Sequence, residues 1–243
     1  MGITTVDIGN TAIKISGSED GRNVTSVGSI VEATRMLKEE KDVAYSTTRE
    51  LTPEERQAVE KAGWWEFSAR RELPVALHYD TPETLGPDRL AAAIGALVLY
   101  PGKTILVADL GTALTTDVMH ASEGYLGGNI SPGMKMRFEA LNKFTSRLPL
   151  VEKGEGSMKI GRDTESAIRA GVRRGLAYEI AGAYFSARKE YGCGMIVLTG
   201  GDARTLEPEI RDAVTDSCVI EMEPHLVHVG LKEVYKYNHD KEN

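Results

Sequence analysis

Two acidic residues follow apolar runs of the chain, and each stands directly before glycine and small polar side chains. The first group reads Asp7-Ile-Gly9-Asn10-Thr11, and the second reads Asp109-Leu-Gly111-Thr112. Backbone N–H groups and hydroxyls of a tight turn can hold phosphate oxygens, and an aspartate can hold Mg²⁺ directly or through water. A simple hairpin with Asn and Gly in its turn explains either group alone. The duplication favours a phosphate site, because ordinary hairpins have no reason to share the pattern.

Two further short motifs place polar groups beside glycine. Thr199-Gly200-Gly201-Asp202 follows an apolar run and suits the close approach of a flat ring or a ribose. A plain strand-to-helix turn is the alternative. Gly86-Pro87-Asp88-Arg89 begins a helical pattern and places Asp88 in its first turn, where the helix dipole stabilises an ionised carboxylate. Without the other motifs, Asp88 would be a first-turn acid with no chemistry, and Arg89 a solvated surface charge.

Strands alternating with helices must position these groups. Strand patterns at 3–8, 12–16 and 23–27 are typical of an antiparallel meander. A long helix is predicted over about 164–191, and its Gly171, Gly175 and Gly182 predict close packing against another backbone. The segment 127–133 predicts a turn-rich loop.

The pattern of apolar strand, Asp-x-Gly, small polar residue and second strand occurs twice. Asp7 and Asp109 lie 102 residues apart. A repeat at this spacing indicates two similar α/β halves. We therefore predict one domain over residues 1–102 and a second over residues 103–243.

The motifs together resemble those of type III pantothenate kinases, in the same order along the chain. They are Asp7–Thr11, Gly86–Arg89, Asp109–Asp117, Gly127–Gly133 and Thr199–Gly201. Each motif alone is weak, but the set is specific and spans essentially the whole chain. The resemblance implies the ATPase fold of actin, Hsp70 and sugar kinases. That fold is α/β, with two similar ribonuclease H-like domains of mixed sheets flanked by helices, and a nucleotide cleft between the domains.

The resemblance also implies an activity and assigns residues to it. The activity is ATP-dependent phosphorylation of the primary hydroxyl of pantothenate, the first step of coenzyme A biosynthesis. Asp88 is assigned as the general base, with Tyr79, Gly86 and Arg89 on the pantothenate side. Thr164 is expected to reach pantothenate in the partner subunit's site of a homodimer, although it could simply cap a helix. The residues expected at ATP are Asp7, Gly9, Asn10, Thr11, Gly111, Thr112, Gly200 and Gly201.

The same resemblance implies two kinds of cation. Mg²⁺ is expected with ATP, held by Asp7 through water, and a monovalent cation, K⁺ or NH₄⁺, is expected near Asp109. A non-catalytic accessory factor for transcription on the same fold is the alternative function. The presence of Asp7, Asp88, Arg89 and Asp109 together favours the kinase, because a regulator has no need of the base.

The composition excludes several other classes of protein. The chain has 243 residues, of which 41% are hydrophobic, and a formal net charge of −7. An acidic chain repels the phosphate backbone, so a general nucleic-acid binder is disfavoured. No apolar run approaches the length of a membrane span, and we expect a cytoplasmic protein. Two cysteines, Cys193 and Cys218, make a disulfide framework improbable.

Overall fold

The computed structural model describes residues 2–18, 20–154 and 159–240, which form two compact units. The first unit comprises the chain up to Gly102, then Ala121–Leu126, then the chain from His225 onward. The second comprises Lys103–His120 and Gly127–Pro224. The predicted division at residue 102 differs from this arrangement in the two returning stretches. The C-terminal stretch returns because its helix packs on elements of the first unit rather than on the second sheet.

The sheet of the first unit begins with the meander that the sequence predicts. It contains β1 (Thr4–Ile8), β2 (Ile13–Ser16), β3 (Thr25–Val27), β4 (Val43–Thr47) and β5 (Trp65–Glu66). The strand order is β3-β2-β1-β4-β5. Strand β2 is antiparallel to both β1 and β3, whereas β4 is parallel to β1 and to β5.

One face of this sheet packs against α1 (Ile30–Met36) and α2 (Pro53–Ala62). Alternate residues of β1 point to this face, and Val6 and Ile8 are fully buried there. Helix α2 begins with a capping box between Thr52 and Glu55, the first and last residues of the sequence Thr-Pro-Glu-Glu. It ends at Gly63, whose φ of 69° is a left-handed conformation that favours glycine. These local signals fix the boundaries of α2 without tertiary contacts.

The other face carries α3 (Pro87–Leu99) and α7 (Leu226–His239), which pack on each other and on the sheet. The two helices touch through glycines. A Cβ atom at Gly95 would overlap the carbonyl oxygen of Leu226, and one at Gly230 would overlap that of Ala91. The absence of both side chains therefore lets the backbones of α3 and α7 approach closely.

The second unit repeats the first. Its sheet contains β6 (Ile105–Leu110), β7 (Ala113–His120), β8 (Gly124–Pro132), β9 (Met195–Thr199) and β10 (Val219–Met222). Counted from its other edge, the strand order is β8-β7-β6-β9-β10, which matches β3-β2-β1-β4-β5 strand for strand. Strand β7 is antiparallel to β6, as β2 is to β1, and β9 is parallel to β6, as β4 is to β1. The repeat and the α/β class predicted from the sequence are thus confirmed.

Three helices cover the second sheet, and two sequence predictions fail around them. The helices are α4 (Met134–Lys143), α5 (Thr164–Tyr191) and α6 (Ala203–Ala213). The segment 127–133 is mostly strand β8 rather than a loop. Its glycines allow close approach, since a Cβ at Gly128 would overlap Thr116. The prediction that the glycines of α5 pack closely against another backbone is also wrong within this chain, because no described atom lies within 4 Å of a Cβ placed at Gly171 or Gly182.

Two simple sequence expectations concern the cysteines and the membrane. Cys193 and Cys218 are both free thiols, the first buried and the second partly buried. Among the described residues, none of the helices combines the length and the apolar character that crossing a bilayer requires.

Candidate active site

The first phosphate motif forms the turn between β1 and β2. The Gly9 N–H donates a hydrogen bond to the Ala12 carbonyl at 3.0 Å and closes the turn. Asn10 and Thr11 are exposed at its tip. Asp7 precedes the turn on β1 and is partly buried. The hairpin thus presents polar groups at its tip and a carboxylate at its base, as the sequence predicts.

Asp7 lies in a row of polar residues that crosses three strands. Its register partners are Lys14 on β2 and Ser46 on β4. Laterally paired residues project from the same face of a sheet, so all three side chains share the face of α3 and α7. Burial and the negative charge of Asp88 raise the pKa of Asp7 to about 6, although Lys14 and Ser46 act in the opposite direction.

The start of α3 brings the predicted base to the same place. Gly86 is the N-cap residue, Pro87 begins the helix, and Asp88 follows in its first turn. The backbone N–H of Arg89 donates a hydrogen bond to Asp88 Oδ1 at 2.8 Å. A Cβ at Gly86 would lie 2.7 Å from that oxygen, so glycine leaves room for the carboxylate. Helix α3 packs on the face of the sheet that carries Asp7, and the charge of Asp88 contributes to the raised pKa of Asp7.

Helix α7 holds both of these motifs in place, and the sequence motifs do not include it. The glycine contact with α3 involves Gly230 and Ala91, one turn beyond Asp88. The buried ring of His228 lies 2.9 Å from the Thr5 hydroxyl, two residues before Asp7 on β1. Nothing local in the sequence indicates the packing partners of this helix.

The second phosphate motif forms the equivalent turn in the second unit. The Gly111 N–H donates to the Ala113 carbonyl at 3.1 Å, and Thr112 is exposed. The Gly133 N–H donates to the Thr112 carbonyl at 3.1 Å, so the end of β8 supports the turn. Asp109 precedes the turn on β6, in register with Thr199 at the end of β9.

The Thr-Gly-Gly loop lies directly beside Asp109. Gly200 has a φ of 91°, and a Cβ there would overlap Asp109 Oδ1 and the backbone of Leu110. The Asp202 N–H donates to the Leu110 carbonyl at 3.0 Å and ties the loop to β6. Gly201, in contrast, is exposed with no atom within 4 Å of its Cβ position among the described residues. The loop therefore combines one sterically fixed glycine with one open glycine.

The remaining predicted residues occupy defined positions. The Tyr79 ring packs edge-on against buried Tyr125, with 6.2 Å between ring centroids. Arg89 is only 6% exposed, so the alternative of a solvated surface charge is wrong. Thr164 is the first residue of α5 and is exposed, whereas Asp163 caps the helix through the Ser166 N–H. The alternative that Thr164 is the cap is therefore also wrong.

The predicted site residues divide between the two units. The first unit contains Asp7, Gly9, Asn10, Thr11, Tyr79, Gly86, Asp88 and Arg89, and the second contains Asp109, Gly111, Thr112, Thr164, Gly200 and Gly201. Within the described ranges, no cluster of three or more His, Cys, Asp or Glu side chains could hold a metal ion. In each unit, a single carboxylate lies beside a phosphate-type turn. Such a site suits a metal ion whose other ligands come from a bound phosphate.

Comparison with known sequences identifies one family. The family model described as type III pantothenate kinase matches residues 3–185 of the chain. The type III pantothenate kinase of Bacteroides fragilis is 45% identical over 170 residues, which are 70% of this chain and 67% of the relative. The family match contains four of the five motifs, and the Thr199–Gly201 motif follows it.

Comparison with solved structures identifies the fold. A protein from Campylobacter jejuni, assigned to the Baf family of transcriptional activators, has a TM-score of 0.63 at 20% identity, covering 98% of this chain and 100% of its own. A ROK family glucokinase from Streptomyces griseus, in complex with glucose and AMPPNP, has a TM-score of 0.55 at 13% identity, covering 96% and 99%. At these identities the likeness shows the actin-like sugar-kinase fold alone.

Proposed function

The chain belongs to the type III pantothenate kinase family, and on that premise we propose how its residues divide the work of the reaction. The activity is the ATP-dependent phosphorylation of pantothenate in coenzyme A biosynthesis. The family match supports this activity and not the transcriptional alternative. The roles of individual residues are our proposal.

Asp88 is the general base that accepts the proton of the attacking pantothenate hydroxyl. The observation that supports this role is the packing of α3 on the face of the sheet that carries Asp7, with Asp88 in the first turn of the helix and its charge contributing to the raised pKa of Asp7. Its position in the first turn of α3 favours the ionised form through the helix dipole. An ionised carboxylate beside the transferred phosphate is the arrangement that kinases use to activate a hydroxyl.

The two turns and the Thr-Gly-Gly loop bind the nucleotide. Backbone N–H groups of Asn10 and Thr11 are the phosphate ligands of the first unit, and that of Thr112 is the ligand of the second, while Gly9 and Gly111 shape the turns against which the phosphates lie. The structure of the turns supports this role, because in each turn the glycine N–H donates to the carbonyl of an alanine at its far end. Gly200 and Gly201 form the surface against which the adenosine lies.

Two cations complete the site. Mg²⁺ bound with ATP is held by Asp7 through water, and it supplies charge neutralisation of the phosphates. The monovalent cation, K⁺ or NH₄⁺, lies near Asp109. Each carboxylate fits its cation in chemistry, because both are oxygen donors at the base of a phosphate turn. The other ligands come from the nucleotide and from water.

Pantothenate lies beside Tyr79, Gly86 and Arg89. Arg89 directly follows the base, Asp88, in the sequence, and its side chain is buried. A buried guanidinium suits the carboxylate of pantothenate. Tyr79 presents a ring that Tyr125 holds in place.

The working form is a homodimer in which Thr164 reaches the site of the partner subunit. Helix α5 has an exposed side that bears Tyr178 and Phe185, which are 58% and 38% exposed. At 3.6 residues per turn, Thr164, Gly171 and Gly182 fall on that same side. A stripe of glycine and aromatic residues that no described residue covers supports its burial against a second copy.

An ATP-consumption assay with pantothenate tests the residue roles. Asp88→Asn is expected to lower kcat by at least about 100-fold and to leave ATP affinity largely intact, because only the proton acceptor is lost. Glu54→Gln, an exposed first-turn acid on α2, is the matched control and should leave kcat unchanged. Omitting K⁺ and NH₄⁺ should remove turnover by the wild type. Near-full kcat in Asp88→Asn would show that another group is the base.

A further inference from the structure

Ser46 is a buried serine next to the phosphate site that none of the sequence motifs contains. It lies on β4 in register with Asp7, and it is fully inaccessible to solvent. Because paired residues of neighbouring strands project from the same face, its hydroxyl faces the Asp7 carboxylate.

The Ser46 hydroxyl has no well-formed hydrogen bond to any described residue. Buried hydroxyls almost always have a partner, and an exception is often a group reserved for a ligand or for catalysis. Asp7 is the carboxylate that Ser46 faces, since the two residues are paired directly across β1 and β4. The geometry thus places an available donor beside a carboxylate that needs one in its ionised form.

We propose that Ser46 is a positioning residue of the phosphoryl-transfer site, whose hydroxyl donates a hydrogen bond to ionised Asp7 and sets the direction of that carboxylate. The inference rests on the role proposed above for Asp7. Lys14 approaches Asp7 from β2 and Ser46 from β4, so the carboxylate is held from both neighbouring strands. Loss of the Ser46 hydroxyl leaves only one of these restraints, and Asp7 then no longer presents its oxygens to the magnesium-bound water in a fixed direction.

The test compares Ser46→Ala with Ser16→Ala. Ser16 is an equally buried serine on the same face of the same sheet, but it is two residues away along β2, and its hydroxyl contacts Ser18. Ser46→Ala should lower kcat by about 10- to 100-fold and raise the Mg²⁺ concentration for half-maximal rate, because a hydrogen bond to a charged group is lost. Affinity for ATP in the presence of a chelator should stay unchanged. Ser16→Ala should keep the wild-type kcat and Mg²⁺ dependence.

Rescue and folding controls make the result decisive. Ser46→Thr, which retains the hydroxyl, should recover most of the lost kcat. If Ser46→Ala does not fold, Ser46→Cys keeps the shape with a much weaker donor and should show the same loss. Full kcat in Ser46→Ala, or an equal loss in Ser16→Ala, overturns the inference. Asp7→Asn is run in parallel: if it also keeps full turnover, the role of Asp7 itself is wrong, and the failure does not concern Ser46 alone.

Discussion

Asp7 and Asp88 lie 81 residues apart in the sequence, yet the charge of Asp88 contributes to raising the pKa of Asp7 to about 6. Two carboxylates this close repel each other when both are ionised. The pair therefore stores unfavourable electrostatic energy that a bound cation can relieve. In the proposed site, this repulsion favours binding of nucleotide together with its metal over binding of nucleotide alone.

The raised pKa of Asp7 predicts that this residue costs stability at neutral pH. The pKa rises from 3.8 to about 6, so the folded chain binds a proton more tightly than the unfolded chain. The contribution of the protonated carboxyl to the free energy of unfolding is fully present below pH 4, and it is lost as the pH rises through about 6. In metal-free protein, Asp7→Asn should increase the free energy of unfolding by up to about 3 kcal/mol at pH 8. Urea unfolding at pH 4 and pH 8 measures this.

The pH dependence distinguishes this cause from a general effect of the substitution. At pH 4 the wild-type carboxyl is mostly protonated, so Asp7→Asn should change stability little there. A variant that is less stable than the wild type at pH 8 would contradict the electrostatic account of the Asp7–Asp88 pair.

The glycine contact between α3 and α7 predicts that a methyl group far from the chemistry lowers turnover. The Cβ of Gly230→Ala would overlap the carbonyl oxygen of Ala91, so α3 must shift. Asp88, in the first turn of α3, moves with the helix. Overpacking of this kind costs about 1–3 kcal/mol of stability. We expect kcat to fall at least tenfold with little change in affinity for ATP. Gly194→Ala, where no described atom is near the new Cβ, should be close to neutral in both assays.

The two adjacent glycines of the Thr-Gly-Gly loop should respond differently to alanine. Gly200→Ala is strained at a φ of 91° and overlaps Asp109, so it should lower the melting temperature and weaken binding of ATP. Gly201→Ala meets no described atom and should leave the melting temperature unchanged. If adenosine lies against this loop, Gly201→Ala still weakens ATP binding. Equal behaviour of the two variants in thermal melts would refute the steric account.

The exposed side of α5 predicts a dimer that one charge can break. Phe185→Glu places a carboxylate in the proposed interface, and light scattering should then show a monomer. Pantothenate turnover should fall at least tenfold because Thr164 no longer reaches the partner's site, while ATP binding persists. Met36→Glu, at an exposed apolar residue on α1, is the control and should remain dimeric and active. A fully active monomeric Phe185→Glu would show that each subunit is complete.

Local chemistry in the sequence determined much of this protein. The capping box at Thr52, the paired Asp-x-Gly turns and the bounds of α5 follow from hydrogen bonds within a few residues of each position. The duplicated turn also predicted the repeated sheet, because both copies need the same two strands around them. The order of the motifs predicted the family. Each of these features depends on short-range spacing, which the sequence states directly.

Contacts between distant segments were decided only in the tertiary structure. The sequence gives no sign that Gly230 meets Ala91, that His228 reaches Thr5 or that Ser46 faces Asp7. The glycines of 127–133 look like turn residues until the strand that they approach is known. Side chains in such contacts are selected by the shape and polarity of a neighbour far away in the chain, and one sequence does not reveal which neighbour that is. The motifs thus determined the chemistry, and the fold determined which residues hold it in place.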